Sequence, residues 1–167
     1  MASRRILLHE GGHQKEHRPD PAAAWRLVGW FSLLFTLVAL SDVVLALYPA
    51  DLSNAGVRFA VFAGIITGMP LLAIGLVGFL LAGINLNQRG RIVTGTIGHA
   101  IAALLILVLL VGFLSARGSA VGLLPPGSEA VMGKTVARTS ILGALYLVVH
   151  GSALIAGVAA LRRPADT

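Results

Sequence analysis

Five histidines are the side chains of this sequence best suited to ligate a metal or carry a proton near neutral pH, and their spacing divides them into two groups. His9-Glu10-Gly11-Gly12-His13 has the spacing H-E-x-x-H, and His17 extends the series by another four residues. Zincin chemistry needs both imidazoles on one face of a rigid helix, a glutamate to activate zinc-bound water and a third ligand nearby. Two glycines between the histidines oppose such a helix. The apolar sequence that follows offers no soluble domain to build a substrate cleft. The series is read as part of a polar tail, with adventitious metal binding as the sharper alternative.

His99 and His150 sit inside long apolar runs. On a helix His99 shares a face with Gly95, Ala102, Ala103 and Ile106, and His150 shares one with Gly143, Tyr146, Ala153 and Gly157. Faces of small residues turn toward neighbouring helices, so both imidazoles are expected inside a bundle. Two axial histidines on facing antiparallel helices could hold haem b, and either alone could ligate the magnesium of a chlorophyll-type pigment. The plainer reading is that each neutral ring hydrogen-bonds a serine, threonine or backbone carbonyl across helices.

Asp42 is the third ionisable candidate. It lies near the end of an apolar run, and Arg58 opens the next one from the same side. The two are expected to pair across the hairpin, with the arginine reaching toward the interface. A proton or ion relay through Asp42 is the alternative. A relay requires a series of ionisable groups, however, and the histidines fall toward the opposite half of the membrane. Gly127 to Thr135 resembles a phosphate loop but has five residues between Gly127 and Gly133 where that motif has four, so it is set aside.

These residues must be positioned by membrane helices. The chain of 167 residues is 56% hydrophobic and 12% charged, with mean hydropathy +0.86, which excludes an ordinary soluble domain. The absence of cysteine excludes disulfides, thiolate metal sites and cysteine nucleophiles. A formal charge of +6 could indicate nucleic acid, but the basic residues flank apolar runs and form no stripe, so no nucleic-acid partner is expected.

Four apolar runs, 21–48, 57–86, 92–115 and 139–161, each supply the roughly 20 residues that a hydrocarbon core of about 30 Å demands. The fold class is an all-α membrane protein, a four-transmembrane-helix bundle occupying 21–163. It follows a polar N-terminal tail (1–20), has a long outer loop (116–138) and ends in a short tail (164–167). Asp20-Pro21 is a helix start, and Trp25, Trp30 and Tyr48 mark interfaces. Arg4 and Arg5 precede only three apolar residues, so no cleavable signal peptide is read and the tail is expected to remain.

The second run is the organising helix. Ala60, Gly64, Gly68, Gly75, Gly78 and Ala82 fall within about 40° of one line along it, a small-residue seam for close helix contact, with a kink expected at Pro70. One side of the membrane would carry Arg4, Arg5, Lys15, Arg18, Arg26, Arg89, Arg91, Arg162 and Arg163, and the other Arg58, Arg117, Lys134 and Arg138. Nine basic residues against four predict both termini in the cytoplasm of a bacterial-type inner membrane. In that topology His99 lies about seven residues and His150 about eleven below the cytoplasmic surface, a depth difference of roughly 6 Å.

No catalytic constellation survives. The expected function is that of a non-catalytic accessory or assembly subunit of a larger inner-membrane complex, respiratory or photosynthetic, acting by helix packing and tail docking. Its partners would be membrane lipids and other integral membrane subunits, with bound lipid expected. The rivals are a haem- or chlorophyll-binding subunit using His99 and His150, and a small proton- or ion-coupled transporter around Asp42.

Overall fold

The computed structural model describes residues 20–122 and 127–163. The His9, Glu10, His13 and His17 series, the rest of the N-terminal tail and the C-terminal tail lie outside the described residues. Among the described residues every regular element is a helix: α1 (Pro21–Leu47), α2 (Ala55–Gly68), α3 (Pro70–Asn85), α4 (Arg89–Val121) and α5 (Glu129–Leu161). With α2 and α3 counted as one interrupted span, four helices are long and apolar enough to cross a membrane.

Local chemistry explains the boundaries. The Asp20 side chain accepts from the Ala22 amide at 2.9 Å and pairs with Arg26 at 3.0 Å, while Pro21 occupies a position whose amide would have no helical partner. Asn54 caps α2 by accepting from the Gly56 and Val57 amides. At Pro70 the expected kink is a full break between helices. Pro70 has no N–H to offer Ile66, whose carbonyl instead accepts a long 3.4 Å bond from Met69.

The last two helices are longer than the apolar runs foretell. α4 begins at Arg89 and continues to Val121, and α5 already starts at Glu129, so the expected outer loop 116–138 contracts to residues 122–128. Hydrophobic runs mark only the part of a helix that meets hydrocarbon. Nothing in Ala116 to Val121 or Glu129 to Arg138 obliges the backbone to leave the helix once it reaches water.

α3 lies between α1 and α4, α4 pairs along its length with α5, and α2 packs on α4. α4 buries Ile92, Thr96, His99, Ala102, Ile106, Leu109, Phe113, Ala116 and Ala120, at steps of three or four. This is the spacing of a seam packed against antiparallel neighbours. Ile66, Met69, Leu72, Leu76 and Tyr146 complete the central cluster with Ile106. The outward faces are apolar, with Trp30 and Tyr48 exposed near the two ends of α1, as suits a surface solvated by lipid.

The small-residue seam divides at Pro70. In α3, Gly75, Gly78 and Ala82 meet a matching stripe on α1 made of Gly29, Ser32 and Thr36. A methyl group on Gly75 would stand 2.8 Å from the Thr36 backbone nitrogen and 2.9 Å from the Ser32 carbonyl oxygen, so only glycine permits this approach. In α2, Ala60, Gly64 and Gly68 are exposed, and Gly64 and Gly68 have nothing within 4 Å of where a Cβ would lie.

Candidate functional site

Two places in the bundle combine polar chemistry with unusual surroundings. The first is the pair of buried histidines. His99 and His150 are both 0% exposed, and their Nδ1 atoms stand 2.7 Å apart across the α4–α5 interface. The rings are tilted by 49°, with centroids 5.0 Å apart. Such a contact requires one Nδ1 to donate and the other to accept, so the two neutral rings occupy opposite tautomers. Their Nε2 atoms are buried without a hydrogen-bond partner.

The burial of both histidines agrees with their placement on small-residue faces, but the partner across the helices is the other histidine, not the serine, threonine or backbone carbonyl expected. The two imidazoles meet at one level of the bundle. His99 is ten residues from the start of α4 and His150 eleven from the end of α5.

The pair does not fit a macrocycle between its rings. Metal–imidazole bonds run about 2.0–2.1 Å, so two histidines on opposite sides of one metal would hold their nitrogens about 4 Å apart, well beyond the 2.7 Å found. Nor does either buried Nε2 have an open face on which a flat pigment could lie. Among the described residues no group of three or more histidine, aspartate or glutamate side chains is arranged to hold a metal ion.

The packing that sets the pair is tight on both sides. Gly157 on α5 abuts the Thr96 side chain, and Thr96 is itself fixed by donating its hydroxyl to the Ile92 carbonyl at 2.7 Å. Gly143 receives Leu110 in the next turns outward. These glycines draw α4 and α5 close enough for the imidazoles to meet.

The second place is a groove of about 240 Å³ between the C-terminal halves of α1 and α2, lined by Ala39, Asp42, Gly64, Gly68 and Met69 among others. The expected Asp42–Arg58 ion pair is not formed. Among the described residues the ion pair present is Asp20–Arg26. Asp42 stands level with Gly64 and Gly68, whereas Arg58 is six residues, or about 9 Å, nearer the start of α2 and about 120° around it from Gly64. Arg58 keeps a buried Nε without a partner, as does the Thr139 hydroxyl on α5, and no apolar periodicity marks either feature.

No family model, curated protein or solved structure matches this chain. The four candidate spans are the architecture of a multi-pass membrane protein.

Proposed function

We propose that the protein is a non-catalytic assembly subunit that joins another integral membrane protein, with a helix of that partner seated in the groove beside Asp42. The observation that carries this reading is the uncovered half of the small-residue seam. Gly75 and Gly78 are filled by α1, while Gly64 and Gly68, on the same line of the same span, have nothing among the described residues within 4 Å of where a Cβ would lie. In lipid, helices associate through close packing at small residues and through polar contacts, and a carboxylate at the wall of such a groove favours a partner that brings a donor or a cation.

The basic flanks favour an orientation with both termini in the cytoplasm. A respiratory or photosynthetic complex is the host that analogy with other small membrane subunits offers. A relay through Asp42 has less support, since the histidine pair is enclosed elsewhere in the bundle and no ionisable side chain occurs anywhere in α3.

Gentle solubilisation from the native membrane followed by sizing tests the proposal. The chain should migrate with a larger assembly, and Gly64→Leu with Gly68→Leu should release it as a folded monomer. A wild-type protein that always migrates alone would overturn the reading.

A further inference from the structure

At the end of the bundle opposite the Asp42 groove, the turn joining α3 to α4 is pulled back on itself. Asn87 adopts φ 50°, the Leu86 amide donates to Ala82, and the Gln88 amide donates to Gly83 at 2.9 Å. This sharp reversal sets the start of α4 beside the end of α5. Between them is a cavity of about 170 Å³, with Arg89, Arg163 and Asn87 at its polar side and Ile84, Ile92 and Leu161 at its apolar side.

Three arginines at this end of the bundle do different things. Arg91 is turned inward, with its guanidinium 5.9 Å from the Phe79 ring centroid and one nitrogen buried against Gly29. Arg89 and Arg163 instead line the cavity, and among the described residues neither is in an ion pair. No described carboxylate lines the space with them.

Two guanidinium groups on one cavity, with no ion-pair partner among the described residues, repel each other and favour an anion between them. Their planar forks match the oxygens of a phosphate group better than those of a point anion. Arg89 is also the first residue of α4, and Gln88 gives that helix no side-chain cap, so its first amides add donors of the same sign. A space of about 170 Å³ compares with roughly 30 Å³ per water in the liquid, enough for a phosphate and the atoms that tether it. Basic pockets between transmembrane helices at the membrane surface have this combination of a cationic mouth and an apolar floor.

We propose that the cavity between Arg89 and Arg163 binds a phosphate group, supplied either by the headgroup of an anionic phospholipid or by free phosphate. The site is independent of the partner assigned to the Asp42 groove.

The test uses the full chain in neutral detergent, with dioleoylphosphatidylglycerol, dioleoylphosphatidylcholine or inorganic phosphate added. Adducts are read by native mass spectrometry and thermal unfolding is followed in parallel. Phosphatidylglycerol should give a one-to-one adduct and raise the unfolding temperature, with phosphatidylcholine weaker. Arg89→Gln with Arg163→Gln should weaken the adduct by about tenfold or more. Arg117→Gln with Arg138→Gln, at the other end of the bundle, should leave it unchanged. Arg89→Lys with Arg163→Lys keeps the charge and guards against misfolding, and it should bind at an intermediate level because the planar fork is lost. If inorganic phosphate gives the arginine-dependent shift and the lipid does not, the site stands with free phosphate as its ligand. Equal phosphatidylglycerol binding by the wild type and both arginine-pair variants, with no arginine-dependent effect of phosphate, would overturn the proposal.

Discussion

His99 and His150 meet Nδ1 to Nδ1 at 2.7 Å, so each is the other's hydrogen-bond partner in a part of the bundle that water does not reach. Replacing either one leaves a buried imidazole with no partner, which costs about 1–3 kcal/mol. His99→Leu and His150→Leu should each destabilise the bundle, and the double variant should be less destabilised than the two singles added together. Cross-helix bonds in membranes are modest, so a coupling of about 0.5–2 kcal/mol is expected. Unfolding in mixed detergent micelles measures it, and strictly additive losses would mean that the two rings do not bond.

The same interface depends on the glycine that lets α5 approach α4. A Cβ at Gly157 would run into Thr96, which is buried and tied to its own helix, whereas a Cβ at Gly151 meets nothing within 4 Å. Gly157→Ala should therefore cost about 1–3 kcal/mol through overpacking. Gly151→Ala should be neutral or stabilise by up to about 1 kcal/mol through helix propensity. Comparison of the two variants in one unfolding assay decides it. Equal effects would indicate that α4 and α5 separate freely.

The spans, their number and the inward faces of His99 and His150 were legible because lipid burial leaves long apolar runs and close packing leaves small residues at helical spacing. The mutual contact of the histidines was not. It depends on the register of α4 against α5, set by packing such as Gly157 on Thr96, which hydropathy does not report. The partner of the Gly75 seam was also missed, although Gly29, Ser32, Thr36 and Ala39 recur on α1 at steps of three and four. Ser32 and Thr36 look polar in a sequence, yet Thr36 donates to the Ser32 carbonyl and both side chains then behave as small packing groups. Counting from the hairpin tip pairs Asp42 with Arg58, but it assumes a symmetric register that the offset of α1 along α2 does not obey.

The link between α1 and α2 carries a pH-sensitive contact outside the membrane helices. The Asp51 carboxylate accepts from the Ser53 hydroxyl at 2.6 Å and from the Ser53 amide at 3.0 Å, and these bonds hold its carboxyl below the ordinary value of 3.8. A depressed folded value means that the contact favours the folded link above the unfolded value and is lost as pH falls through the lowered one. A carboxyl-resolved NMR titration should show Asp51 titrating below an unstructured aspartate, and Ser53→Ala should raise its midpoint. A midpoint unmoved by Ser53→Ala would remove the hydroxyl as the cause.

Pro70 links the break in the second span to the groove beside Asp42. Because α3 starts afresh after Met69, α3 can lie flat on α1 while α2 diverges from it, leaving Gly64 and Gly68 uncovered. Pro70→Ala restores an amide that can donate to the Ile66 carbonyl, which now receives only the 3.4 Å bond from Met69. The variant should stay folded, since alanine is the better helix former and the outer surface at this position is exposed. With α2 and α3 free to straighten into one helix, α2 would swing relative to α1 and the shape of the groove would change. The expected result is a stable protein with weakened assembly, seen as loss of the large species on sizing and a shorter distance between spin labels placed at Ala46 and Ala60. Assembly retained with an unchanged label distance would show that the side chains of the core, not the proline, set the divergence of the two helices.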